Sequence, residues 1–219
     1  MIIEVNGIEL YYEKTGKGKP IILLHGNSEE NSIFNALTQR LLSKYTVYAI
    51  DSRDHGKSSK VSELHYSDMM EDVAAFIQEL DIRKPVILGF SDGGIIGLLL
   101  AIKYPDMLSK LIVCGANTSP DGAKKLFFTL GKIMHLFTRN QKLKLMLTQP
   151  NITDAELKTI SVPTLVLAGS MDMVQEGHTR NIADNIPDST LMILEGENHE
   201  SYVINSDKLY DIIKPFMAE

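Results

Sequence analysis

The chain has no tryptophan and one cysteine, and it lacks any apolar run of the ~20 residues that a membrane-spanning helix needs. The single thiol, Cys114, excludes an internal disulfide and any metal site built from several cysteines. It closes an apolar run, so it reads as a buried structural thiol. The N-terminus, Met1-Ile2-Ile3-Glu4-Val5, starts as an amphipathic strand and shows neither the basic segment nor the cleavage site of a secretory leader. Basic tracts are missing as well, and the net charge is -6. A cytoplasmic chain is expected, with neither nucleic acid nor membrane as partner.

What is present suffices for one good core. Of 219 residues 44% are apolar and 23% charged, which fits one compact domain with room for a small insertion. Two β-rich segments, residues 2–5 and 8–13, are split by Asn6-Gly7, a strong hairpin signal. Pro20-Ile21-Ile22-Leu23-Leu24-His25 is a continuous apolar run of the kind buried on both faces of a parallel sheet. From there helices and strands alternate: helix 33–45, strand 47–50, helix 66–80, strand 85–90, helix 94–104, strand 111–114, strand 163–168, strand 191–194 and a helix over 208–216. This order predicts an α/β fold, a mostly parallel central sheet of about eight strands with helices on both faces.

One interval breaks the alternation. Leu126, Phe127, Leu130, Ile133, Met134 and Phe137 recur at helical spacing, and residues 118–160 are expected to form a small helical lid inserted after the sixth strand. The core would then comprise residues 1–117 and 161–219. The insertion carries seven basic residues against three acidic ones, a net +4 that leaves -10 for the rest of the chain. Such an asymmetry suits either an anionic substrate or a solvated helix face docked on an acidic core.

The chemistry centres on Gly89-Phe90-Ser91-Asp92-Gly93, where a strand runs straight into a helix. A serine on so sharp a turn has its Oγ held out at the end of the sheet, and the flanking glycines permit the tight backbone approach. Ser91 is the candidate nucleophile. A serine hydroxyl needs a base within hydrogen-bond reach, and the base needs an orienting acid. Both should come from loops at the C-terminal ends of later strands. Asp172, directly after the strand that ends in Ala168-Gly169-Ser170-Met171, is the candidate acid, with Glu176 behind it. His199 follows the last strand and is the candidate base. Backbone N–H groups of Asp92 and Asn27 are the candidate oxyanion donors, the second from Leu24-His25-Gly26-Asn27. His25 itself is read as structural. The Asp92 side chain either attracts an ammonium group on the substrate or caps the helix that it begins. Phe127, Met134 and Phe137 are candidates to line the substrate pocket.

Five motifs in this order resemble the α/β-hydrolase fold superfamily over essentially the whole chain: Leu24-His25-Gly26-Asn27, Asp51-Ser52-Arg53-Asp54-His55-Gly56-Lys57-Ser58, the Ser91 turn, Gly169-Ser170-Met171-Asp172 and Asn198-His199. The resemblance implies a serine carboxylesterase acting on a small-molecule ester of small to medium acyl length, with no metal and no cofactor. It also implies that Asp51 and Arg53 brace the oxyanion loop. Serine C–C bond hydrolases, thioesterases and acyltransferases are alternatives on the same residues, and a receptor with a vestigial pocket is the non-enzymatic one. The lid is short for the superfamily, and Asn198 stands where glycine usually precedes the histidine.

Overall fold

The structure is a computed structural model and describes residues 1–218. Eight strands form one sheet in the order β1-β2-β4-β3-β5-β6-β7-β8. The strands are β1 (Ile2–Val5), β2 (Ile8–Gly16), β3 (Lys19–Leu24), β4 (Tyr45–Ile50), β5 (Val86–Phe90), β6 (Lys110–Cys114), β7 (Thr164–Met171) and β8 (Ser189–Asn198). Only the β1–β2 and β2–β4 pairs are antiparallel. The helices are α1 (Asn35–Leu41), α2 (Tyr66–Glu79), α3 (Asp92–Lys103), α4 (Lys125–Thr138), α5 (Gln141–Thr148), α6 (Asp154–Leu157), α7 (Glu176–Asn185) and α8 (Lys208–Ala218). The α/β class, the parallel sheet and its strand count are as the alternation predicts.

Strand side chains alternate between two faces, and the core divides accordingly. Ile22, Leu24, Ile87, Leu111 and Val113 pack with α2 and α3. Their neighbours Ile21, Leu23, Leu88, Ile112 and Cys114 pack with α1 and α8. The apolar runs are continuous because a sheet covered on both faces has no wet side.

Two local expectations shift. The helix expected over 33–45 is a 3-10 turn, Asn31–Phe34, followed by α1, which stops at Leu41. Tyr45 instead opens β4, where Tyr45-Thr46-Val47 pairs in parallel with β3; pairing with a central strand outweighs helical periodicity here. Three helices lie between β6 and β7, but they differ in depth. Leu145, Ile152, Leu157 and Ile160 belong to the main core, whereas no residue of α4 is buried.

At the junction of β5 and α3 the helix lies so close that a Cβ on Gly89 would strike the Gly93 carbonyl, and one on Gly93 would strike that of Leu24. Gly93→Ala is expected to destabilise the fold by about 2–3 kcal/mol, as overpacking against unyielding backbone does. Urea unfolding measures this, and a midpoint equal to that of the unmodified protein would contradict the close approach.

Candidate active site

Ser91 sits between β5 and α3 with φ +52° and ψ -114°, a left-handed conformation that a serine adopts only under constraint. Its N–H continues the sheet ladder to the Cys114 carbonyl at 2.8 Å. Its Oγ lies 3.1 Å from His199 Nε2, and His199 Nδ1 lies 2.7 Å from Asp172 Oδ1. A carboxylate only accepts, so Nδ1 carries the imidazole proton and Nε2 is left to accept from the serine hydroxyl. The structure therefore joins Ser91, His199 and Asp172, which are far apart in sequence, in one hydrogen-bonded chain. Glu176, the other candidate acid, sits at the start of α7 and pairs with Arg180 at 2.7 Å.

His199 and Asp172 are withdrawn from water, 7% and 2% exposed. Phe90 packs on the imidazole with ring centroids 4.9 Å apart, and Gly115 lies so close that a Cβ there would touch the ring. Asp172 Oδ1 also accepts the Val174 N–H, while Oδ2 is buried with no partner among the described residues. Cys114, buried behind this group, has its thiol pushed well above the ordinary value by burial and supplies no thiolate.

The loop after β3 is set by a second group of residues. Ser52 N–H donates to His25 Nε2 at 3.0 Å, so His25 Nδ1 bears the proton and donates to the Gly26 carbonyl at 2.7 Å. The Glu29 N–H also points at that carbonyl. In a trans peptide the C=O and the following N–H point opposite ways, so pinning the Gly26 carbonyl turns the Asn27 N–H away from it. Neither that N–H nor the Asp92 N–H, at the start of α3, donates to another described residue. Burial lowers the His25 pKa, which keeps the ring neutral in this role. Underneath, Asp51 accepts from Asn31 and from the Lys57 N–H, and Arg53 clasps Asp72 through two nitrogens at 2.6 and 2.7 Å. His55 leans on His25 and is pushed down to about 3 by burial, hence uncharged.

Three placements differ from expectation. The Asp92 side chain caps nothing; it is 4% exposed and accepts from Tyr66 Oη at 2.7 Å and Asn27 Nδ2 at 2.9 Å. It thus ties the residue after Ser91 to the loop that carries the Asn27 N–H. Met134 and Phe137 do not line either cavity beside His199, being 55% and 85% exposed on the outward side of α4. Helical spacing shows which residues share a face but not which way that face points. Phe127, two turns before Met134, does line a cleft of about 270 Å³ with Met171, Met173 and His199. A tighter cavity of about 50 Å³ lies beside Ser91, between Tyr66, Asp92, Asn117 and Met146. A roomier concavity, about 680 Å³, opens at the other end of the sheet beside Ile82, Tyr104 and Met107, away from Ser91. Among the described residues no cluster of His, Cys, Asp or Glu could hold a metal ion.

Sequence reasoning missed Glu29. Its Oε2 accepts the Gly26 N–H at 2.8 Å, the reach-back of a carboxyl three residues on that resembles a capping box. Gly26 followed by Glu29 was the available signal.

The chain belongs to the alpha/beta hydrolase fold family, whose sequence profile matches residues 19–145. Among curated proteins it is similar to the serine hydrolase BPHL of Mus musculus, 24% identical over 250 residues that cover 98% of this chain and 85% of that protein. The Homo sapiens serine hydrolase BPHL is 33% identical over 125 residues, 52% of this chain and 42% of that protein, so this match spans less than half of the relative. Of solved structures, a carboxylesterase from Nitrososphaera gargenis superposes with a TM-score of 0.86 at 19% identity, covering 100% of this chain and 98% of that one. The enol-lactonase of Burkholderia xenovorans LB400 superposes with a TM-score of 0.83 at 19% identity over the whole of both chains. At that identity the structures share the fold. Membership of this family marks the chain as an enzyme; its chemistry has to be argued from the site.

Glu29 carries a pH prediction. Burial, with Glu200 nearby, pushes its carboxyl up to about 7 from an ordinary 4.5, although the Gly26 N–H pulls the other way. The folded state keeps this proton after the unfolded chain has lost it, so stability falls as pH rises from about 4.5 to about 7. Glu29→Gln removes that loss. Allowing for solvent screening of a half-buried group, the variant should melt about 2–4 °C above the unmodified protein at pH 8, as ~1 kcal/mol does in a chain of this size, with the gap closing toward pH 4.5. A gap independent of pH would contradict this.

Proposed function

We propose that the chain is a serine hydrolase that cleaves carboxylic esters of small to medium acyl groups through an acyl-enzyme. The hydrogen-bonded chain from Ser91 through His199 to Asp172 carries this reading. In it, Ser91 Oγ attacks the ester carbonyl while His199 Nε2 takes the hydroxyl proton. The developing oxyanion is met by the Asn27 and Asp92 N–H groups, the latter at the positive end of α3. Collapse of the tetrahedral intermediate breaks the C–O bond, and His199 returns the proton to the departing alcohol. Water then repeats the sequence and frees Ser91. Asp172 holds the imidazole in the reactive tautomer and stabilises its cation.

The cavity of about 50 Å³ beside Ser91 favours a small acyl group, and the wider cleft at Phe127 leaves the alcohol side open. We take residues 118–160 as the unit inserted into a core of 1–117 and 161–219, with α4 and α5 forming the lid over that cleft. A fluorophosphonate probe should label one site per chain, and Ser91→Ala should abolish labelling; an unlabelled intact protein would favour a receptor instead. Asp172→Asn should lower kcat on p-nitrophenyl butyrate about 10³–10⁴-fold, the effect of a wrong imidazole tautomer. An unchanged rate would remove Asp172 from its role.

Asp92 supplies the substrate clue. Its carboxylate is buried at the wall of the small cavity, where burial pushes its pKa up while the hydrogen bonds from Tyr66 and Asn27 pull it down, and in its ionised form it attracts an ammonium group on the acyl side. Amino-acyl esters should be hydrolysed faster than matched neutral esters, and Asp92→Asn should erase the ratio. A ratio that survives this substitution would rule the attraction out.

A further inference from the structure

The helix α4 (Lys125–Thr138) is turned inside out relative to a helix packed on a core. Leu126, Phe127, Leu130, Ile133, Met134 and Phe137 follow one another at spacings of three and four along one face, each between 46 and 85% exposed. The side turned to α5 carries only Phe128, Gly131 and His135 as partly buried residues. A face this apolar, and left in water, is the mark of a docking surface. The charges say what docks. From residue 122 to residue 153 there is no carboxylate, while Lys124, Lys125, Lys132, Arg139, Lys142 and Lys144 are all cationic. Lys125 and Lys132, seven residues apart in α4, share a side of it away from the apolar face, along with the exposed Leu136, and Arg139 stands at its C-terminal end.

From the apolar face and this acid-free cationic stretch we infer that α4 is a peripheral docking helix for an anionic lipid bilayer, its apolar face sunk among the acyl chains and its cations at the headgroups. Lys and Arg opposite a face of Leu and Phe are what an interfacial helix needs, and their long stems let the charges reach the headgroups. A second copy of the chain fits less well. Pairing α4 with its own copy would leave the cations of both stretches without an acidic partner, which an anionic surface supplies. Phe127 belongs both to this face and to the cleft beside His199, so docking would set the mouth of the cleft at the lipid surface. The whole chain stays acidic because -10 elsewhere outweighs the +4 over residues 118–160.

Flotation with vesicles of phosphatidylcholine, with and without phosphatidylglycerol, tests the inference. The unmodified protein should float with the anionic vesicles and stay behind with pure phosphatidylcholine, and raising the salt should release it. Leu130→Gln with Ile133→Gln, and separately Lys132→Gln with Arg139→Gln, should each weaken partition at least about tenfold while circular dichroism and turnover of a water-soluble ester stay unchanged. Three outcomes would overturn it: no flotation with the anionic vesicles, equal flotation with both kinds, or a stable dimer in sedimentation that Leu130→Gln with Ile133→Gln dissolves. The last would give the face to a second copy.

Discussion

The tight contact between the start of α3 and the strands β3 and β5 is the constraint on which the rest of this molecule depends. It forces Ser91 to φ +52°, a conformation that costs a non-glycine residue about 1–3 kcal/mol. The strain is offset by the helix that follows, whose Ile95, Ile96, Leu98 and Leu100 are no more than 1% exposed. Four such side chains at about 1.5–3 kcal/mol each outweigh one strained dihedral. With the backbone locked, the serine hydroxyl stands at the C-terminal edge of the sheet. The loops after β3, β7 and β8 reach that edge from either side.

Those loops are held by buried polar groups, and their chemistry explains why so many charged residues sit near the site without reaching Ser91. A buried carboxylate is tolerated when donors surround it. Asp51 has three donors, from Asn31 and Lys57, and it fastens the 3-10 turn to the chain beyond β4. Asp72 receives Arg53 through two nitrogens and the Asn6 amide, which ties the first hairpin to α2. Asp172 is the exception, with a buried oxygen that nothing satisfies among the described residues. Its one strong partner is the His199 ring. The braces are saturated where only rigidity is required, and the unsaturated carboxylate stands where charge has to move.

How much of this was legible in the sequence follows from what local pattern can encode. Apolar runs bounded by glycine and proline located the parallel strands, and the Gly-x-Ser-x-Gly turn located Ser91, because both depend on neighbours in sequence. The order of residues after successive strands located Asp172 and His199, since a parallel sheet brings those loops to one edge. The Asp92–Tyr66–Asn27 bonds and the placement of Phe137 were not legible, and Glu29 was signalled only by its position three residues after Gly26. Each depends on how a side chain is directed in space, and two to three turns of helix separate Phe127 in the cleft from Met134 and Phe137 outside it. The helix expected over 33–45 failed for a related reason: its last residues had a strand partner 26 positions upstream, Lys19 with Tyr45, that periodicity cannot see.

Charge, too, acts locally, as a field rather than as a total. At physiological salt an exposed charge is felt over about 8 Å, so a surface answers to the charges near it and not to the sum over the chain. The acid-free stretch from 122 to 153 covers α4, none of whose residues is buried, and α5. The carboxylates that make the whole chain acidic lie elsewhere, and several are already paired: Asp72 with Arg53, Glu71 with Lys103, Asp207 with Arg40. Pairing leaves them little reach. The cations around α4 have no ion-pair partner among the described residues, and a molecule of net charge -6 thus carries a local positive patch there.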